Sequence, residues 1–160
     1  MEELKVDLGC GFKKHGPEYI GIDKKAFKGV DFICNLEKLP WPIKDNSFSE
    51  VLSSHIFEHL DPALIFEIFD ECWRVLKEGK EMIVITPYGG GDQWLMDPTH
   101  KSHFTETSFL YLDPQYPSYD VYRPKPWSLE EVYFSSNGII TARLKKIKEK
   151  IEFVGEKNVS

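Results

Sequence analysis

The sequence predicts an α/β fold: a mostly parallel twisted sheet ending in an antiparallel hairpin, with reduced helices between strands 1, 2 and 3. Three observations predict it. Short apolar segments stopped by turn residues recur through the first half, at 4–8, 19–22, 30–34 and 50–53. A strongly periodic helix then leads into the apolar run Met82-Ile83-Val84-Ile85, in the order of a right-handed crossover between parallel strands. Finally, Asn137-Gly138 stands between two β-rich segments, the strongest short hairpin signal.

Each element has its own justification. The first strand stops at Gly9 and the second at Asp23. Only about ten residues separate Gly9 from Tyr19, and Gly16-Pro17 interrupts them, so at most a single helical turn fits there. The connection 23–30 is shorter than the roughly dozen residues of a parallel crossover, which leaves one sheet face thinly covered. After the fourth strand, Asp61 is an N-cap, Pro62 suits the first helical position and Gly79 a C-terminal stop. Between them Leu64, Ile65, Ile68, Phe69, Cys72, Val75 and Leu76 form one apolar face, predicting a helix over 61–79.

The fifth strand is expected over 81–86, with burial on both faces. A mobile loop at Gly89-Gly90-Gly91 follows, then a short helix over 105–111 and an irregular stretch holding Pro114, Pro117, Pro124 and Pro126. The terminal hairpin pairs 132–134 with 139–142, and the Lys-rich end 145–150 reads as a solvated face. Residues 1–160 are expected to form one domain in which a lid region of about 88–128 wraps over a site.

Composition narrows the function. At 41% hydrophobic and 29% charged the chain is built to bury a core, which argues against disorder outside the tail. A net charge of −6 disfavours nucleic acid and anionic membranes, both drawn chiefly by Lys and Arg. Cys10, Cys34 and Cys72 are an odd, widely spaced set, which suits reduced thiols better than a disulfide framework or a zinc site. With no secretory pattern and no membrane-length apolar run, a cytoplasmic location is expected.

Chemistry-bearing residues gather where strands end, the place where open α/β sheets bind ligands. Gly9 and Gly11 follow the first strand and allow backbone N–H groups to approach a ligand closely. Asp23 ends the second strand and can accept hydrogen bonds from two ribose hydroxyls, while Asn35 and Leu36 follow the third, where an adenine ring needs an amide and an apolar surface. Ser53-Ser54-His55 ends the fourth, and His59 is placed to set the turn into the helix.

The succession VDLGCG, GID, CNLEKLPWPIKDNSFSEVLSSHIFEHL and WRVLKEGKEMIVITPY resembles the class I S-adenosylmethionine-dependent methyltransferases over roughly residues 4–112. It is most similar to small methyltransferase domain 11-like members, through Leu39-Pro40-Trp41-Pro42, Asn46-Ser47-Phe48 and Glu58-His59-Leu60. The resemblance implies a Rossmann-like sheet of order 3-2-1-4-5 and S-adenosylmethionine as methyl donor, leaving S-adenosylhomocysteine. It also implies that Asp7, Gly9, Cys10 and Gly11 surround the methionine moiety, that Asp23 holds the ribose, that Asn35 and Leu36 flank adenine, and that Ser54 and His55 line the methyl-donor side.

Asn35 stands where many members carry an acid, and its amide oxygen still accepts a hydrogen bond. No Asp-Pro-Pro-Tyr or Asn-Pro-Pro-Tyr follows the fourth strand, which disfavours methylation of nucleic-acid base amines. Charge points to a small-molecule acceptor; glycan, peptide and tRNA acceptors stay open. Methyl transfer from a sulfonium needs alignment and exclusion of water more than a catalytic group. Where a base is needed, His55 and His100 are the candidates, with His103 beside them.

His100-x-x-His103 with Asp97 has metal-ligand spacing, but a hydrogen-bonded loop pair is the expectation, with no metal. Tyr88, Trp94, Phe104, Tyr111 and Trp127 form either an aromatic acceptor pocket or the core of the lid. A Rossmann oxidoreductase would carry a third glycine where Lys14 stands. A non-catalytic binding or activating subunit, or a homodimer, would use the thinly covered sheet face.

Overall fold

The computed structural model describes residues 3–149. Its seven strands are β1 (Lys5–Leu8), β2 (Tyr19–Asp23), β3 (Phe32–Ile33), β4 (Phe48–Ser54), β5 (Leu76–Pro87), β6 (Trp127–Phe134) and β7 (Ile139–Lys146). They form one sheet of order β3-β2-β1-β4-β5-β7-β6. The first five are mutually parallel, in the expected order 3-2-1-4-5, and β7 and β6 complete the sheet antiparallel.

Burial explains the arrangement. β1 and β4 lie in the middle, and Val6, Leu8, Val51 and Ser53 are wholly buried. The helix α1 (Ile65–Val75) follows β4 and packs Ile68, Phe69, Cys72 and Val75 against the sheet face that carries Met82, Val84, Ala142 and Leu144. The opposite face is thinner. Among the described residues no helix joins β1 to β2 or β2 to β3, and Ile83 and Ile85 stay partly exposed beside Arg143 and Thr141. The expected burial of β5 on both faces therefore holds on one face only.

The short connections cover that thin face where they can. A Cβ on Gly21 would lie 2.7 Å from the Cys10 sulfur and against the Gly29 carbonyl oxygen, so the loops come down on β2 so closely that only glycine fits.

Several boundaries differ from expectation, each for a local reason. The predicted helix 61–79 divides into a 3-10 turn at Pro62–Leu64, capped as expected by Asp61 accepting from the Ala63 N–H (2.9 Å), and α1, which ends at Val75. Leu76 leaves the helical period because it pairs with Phe48 and is wholly buried in β5, and Gly79 instead turns the chain where the β4–β5 register slips. β3 is reduced to two exposed residues, since the Asp31 carboxylate takes the Gly21 N–H (2.8 Å) ahead of the strand.

The expected short helix is a 3-10 helix at Glu106–Leu112 whose N-terminus is closed by a reciprocal Thr105–Ser108 capping box. Two helical turns were unforeseen, α2 (Asp92–Leu95) and, inside the proline-rich stretch, α3 (Tyr119–Tyr122). The hairpin forms around Asn137-Gly138, with strands longer than expected. Its alternation corrects the reading of the Lys-rich end: Lys145 is exposed, but Lys146 is buried, with its ammonium 4.0 Å from the Trp73 ring and bonded to the Leu76 carbonyl (2.7 Å). Lys150 lies outside the described residues.

Candidate functional site

The carboxyl ends of β1, β2, β3 and β4 converge on one cleft of about 580 Å³, within the few hundred Å³ usual for a small-molecule site. Gly9, Asp23, Asn35, Leu36 and His55 line it, so the structure brings together one predicted residue or pair from each strand end.

The glycine turn is fixed by backbone bonds. Gly9 and Cys10 both donate to the Ile22 carbonyl (2.7 and 3.1 Å), tying the turn to β2. Gly9 has φ +68°, and a Cβ there would stand 2.5 Å from the Ile56 side chain, so the turn admits no larger residue. Asp23 closes the turn from the other side: Oδ2 accepts from the Gly11 N–H (3.1 Å) and Oδ1 from the Lys25 N–H (3.0 Å). A carboxylate has about four acceptor sites, so each oxygen keeps one for a ligand. Asn35 Oδ1 accepts from the Glu37 N–H (3.0 Å), and Leu36 is buried at the cleft floor, shared with the core.

Other predicted residues stand behind this surface. Asp7 is 4% exposed and accepts from the His15 N–H (2.8 Å), and burial pushes its pKa up. It steadies the loop 9–18. The Cys10 thiol is turned toward the Gly29 carbonyl (3.5 Å), and burial first, then Asp7 and Asp23, push it up to about 11, which makes it a packing group and not a nucleophile. Gly11 is occupied by Asp23, and Ser54 is half-buried at the end of β4.

His55 is held in the left-handed region (φ 55°), with its N–H donating to the Ile85 carbonyl (2.8 Å). Its Nδ1 is 3.3 Å from Oε1 of Glu58, an ion-pair distance off the line of a hydrogen bond, and this carboxylate raises the imidazole pKa against the effect of partial burial. Glu58 is 1% exposed, and its Oε2 accepts from the Thr86 hydroxyl (3.1 Å).

The segment after β5, expected to wrap over a site, completes one wall through residues that the sequence does not single out. Lys101 and Ser102 donate from the backbone to the Glu58 carbonyl (2.7 and 3.0 Å), and the Ser102 hydroxyl donates to the Leu60 carbonyl (2.7 Å). Thr99, Lys101, His59 and Ile56 thereby reach the cleft, as do Lys24, Lys25 and Phe27 beyond β2. Only Glu58-His59-Leu60 was singled out beforehand; no local pattern marks Thr99 or Lys101, whose position depends on contacts with residues about forty positions away.

The histidines of the loop part company. His100 donates from Nδ1 to the Trp94 carbonyl (2.7 Å), while His103 stacks on the Trp94 ring with centroids 3.9 Å apart. The His100 ring meets His59 at 4.6 Å and Trp94 at 5.8 Å. The aromatic residues divide as well: Trp127 and Phe104 are buried core, and Phe104 with Tyr111 also lines a second, apolar cavity of about 380 Å³ beside α1.

Comparison with known proteins agrees with this geometry. Residues 6–84 match the methyltransferase domain family, a span that holds β1 to β4, α1 and most of β5. Among curated proteins none matches the chain. A S-adenosylmethionine-dependent methyltransferase structure from Archaeoglobus fulgidus superposes with a TM-score of 0.68 at 17% identity, covering 90% of this chain and 86% of its own. A chain of the Haloferax volcanii complex containing the Trm112 methyltransferase activator gives 0.64 at 12% identity, covering 94% and 85%. The Streptomyces coelicolor geranyl diphosphate C-methyltransferase, solved with Mg2+, geranyl diphosphate and S-adenosyl-L-homocysteine, gives 0.63 at 13%, covering 91% and 71%.

At such identities these likenesses establish the fold, a Rossmann-like methyltransferase sheet. Residues 6–84, just under half of the chain, match the methyltransferase domain, and the fold around them is that of S-adenosylmethionine-dependent methyltransferases. No helix of the described residues is long and apolar enough to cross a membrane.

Proposed function

We propose that the protein transfers the methyl group of S-adenosylmethionine to a small-molecule acceptor by in-line displacement. The observation that carries this is the convergence of Gly9, Asp23, Asn35 and His55 on one cleft, each from the end of a successive strand. The donor set suits an adenosyl ligand: Asp23 keeps an acceptor site on each oxygen for ribose hydroxyls, and Asn35 and Leu36 present an amide and an apolar surface for the base. S-adenosylmethionine supplies a methyl group on a sulfonium, whose leaving group is already activated.

The chain's own task is to align the acceptor and keep water away. For a hydroxyl or amine acceptor, His55 is the better base of the two predicted. Its ring is half-exposed, and with Nδ1 facing Glu58 its Nε2 is free to take the proton. His100 has a side chain only 6% exposed and commits Nδ1 to the Trp94 carbonyl. The segment 88–128 serves as the acceptor-side lid, and the three unpaired thiols, Cys10, Cys34 and Cys72, suit a cytoplasmic enzyme.

Calorimetry with S-adenosylmethionine and S-adenosylhomocysteine, with NAD as control, tests the reading. Binding of the two sulfur ligands and not of NAD is expected. Failure of both to bind an intact fold rejects it.

A second reading, a binding subunit without activity, draws support from Phe12, Phe32 and Ile33, which are exposed along the β3 edge and the loop beside it. It predicts that methyl-donor binding survives while no acceptor is methylated until a partner chain, or a second copy, is supplied.

A further inference from the structure

Glu58, His59 and His100 are brought together from the turn after β4 and the segment after α2. One carboxylate oxygen and one ring nitrogen from each histidine all lie within 4.8 Å of one another. Their hydrogen bonds decide where the protons sit. A carbonyl only accepts, so His100 must carry its proton on Nδ1, which faces the Trp94 carbonyl at 2.7 Å. The Thr99 hydroxyl donates its one proton to Asp97 Oδ1 (2.7 Å), so the His59 Nδ1 at 3.0 Å from that hydroxyl must be the donor. Both imidazoles therefore carry a proton on Nδ1, which leaves Nε2 as the atom available for ligation, and the His100 Nε2 lies 3.7 Å from Asp97 Oδ2. A carbonyl on one histidine and a Thr–Asp pair on the other are the kind of outer partners that orient metal-binding imidazoles.

Glu58 supplies an independent observation. Its carboxylate is 1% exposed, and Oε1 has no hydrogen-bond partner among the described residues, the half-exposed His55 Nδ1 standing 3.3 Å away off the line of a hydrogen bond. A buried carboxylate oxygen left without a donor is costly unless a cation balances it.

We propose that Glu58, His59 and His100 bind a zinc-type divalent cation at the wall of the cleft. Two imidazole nitrogens and one carboxylate oxygen are the donors of a borderline transition-metal dication and not of calcium or magnesium, which take oxygen alone. With bonds of about 2.1 Å, a tetrahedral ion sets its donors roughly 3.4 Å apart, so the three side chains need to close by at most about 1.4 Å. Three protein ligands leave a coordination position open. Because His59 also lines the 580 Å³ cleft, a molecule bound there can reach the ion through an oxygen or sulfur atom.

The full chain, stripped of metal by chelator and then dialysed, is titrated with Zn2+ by calorimetry and with Co2+ by absorption spectroscopy, without any methyl donor. One equivalent should bind, and Co2+ should show the visible bands of a site with nitrogen and oxygen donors. His59→Ala and His100→Ala should each weaken binding by at least about tenfold, and Thr99→Val, acting through His59, by about tenfold. His103→Ala, whose ring stacks on Trp94 and is not one of the three donors, should change nothing. His59 is half-buried, so its variant decides the matter if removal of buried His100 costs the fold. A wild-type chain that binds neither ion, or one whose affinity is the same in His59→Ala as in His103→Ala, overturns the proposal. Methyl-donor binding is measured separately, so failure of one reading is not mistaken for failure of the other.

Discussion

The two sides of the cleft are made differently. On the β1–β4 side, short turns at strand ends place the groups, and backbone bonds such as Gly9 and Cys10 to Ile22 fix them within a few residues of the strands. On the other side, the segment 88–128 holds mainly short helical turns and is attached at long range, by Lys101 and Ser102 to Glu58, by Ser102 to Leu60, and by Asp113 to β6. The first side is rigid because its geometry is local; the second depends on a few buried polar attachments. Changes on the first side should therefore disturb methyl-donor binding, and changes on the second should loosen the segment 88–128 while leaving the first side intact.

The largest effect is expected at Gly9. Gly9→Ala puts a Cβ into the left-handed region, at about 1–2 kcal/mol, and against Ile56, at a further 1–3 kcal/mol of overpacking. Denaturant unfolding should show a loss of about 2–5 kcal/mol, and methyl-donor binding should vanish. A Gly9→Ala protein of wild-type stability would mean that the turn is looser than described.

Next comes Asp113, the buried attachment of the segment 88–128. Its Oδ1 accepts from the Gln115 N–H (2.9 Å) and its Oδ2 from the Leu129 N–H (2.8 Å). Asp113→Ala leaves the half-buried Leu129 N–H without its acceptor, while the exposed Gln115 N–H turns to water, which costs about 1–3 kcal/mol. Hydrogen exchange should rise across 106–129 and stay unchanged over β1 and β2. Uniform exchange across both regions would erase the distinction between the two sides.

Asp23→Asn is smaller. The amide retains one acceptor oxygen for a backbone N–H but loses charge and acceptor sites at the ribose, so methyl-donor Kd should rise about tenfold, or about 1.4 kcal/mol, with little change in melting temperature. An unchanged Kd would remove Asp23 from the ribose site.

The same contrast explains what could be read in the chain. Strand order, the reduced helices and the glycine turn, Asp23 and Asn35 were legible because each is announced by residues adjacent in sequence. The end of α1 was not, because Leu76 satisfies the helical period and the β4 pairing equally well, and only its burial against Phe48 settles the contest. Lys146 was misread for a related reason: a run of lysines looks solvated until β-alternation turns one of them inward under Trp73. The His59–His100 pairing was hidden by the nearer His100-x-x-His103 spacing, because the loop stacks His103 on Trp94 and sets His100 against His59.

The smallest expected effect, at Asp7, separates stability from function on the donor side itself. Burial holds the Asp7 pKa above its unfolded value. Such a group contributes stability that is fully present below the unfolded pKa near 3.8 and is lost as pH rises through the higher folded pKa. Asp7→Asn removes that titration while its amide oxygen can still accept from His15. The variant should therefore gain on the wild type as pH rises out of the acid range, and the two should converge again below it, read as unfolding midpoints across pH. Methyl-donor affinity should fall in the same variant, because the carboxylate charge beneath the turn is gone. A buried acid that costs stability at neutral pH is worth retaining only if the ligand uses its charge. Equal affinity in Asp7→Asn and wild type would reduce Asp7 to an anchor for the loop 9–18.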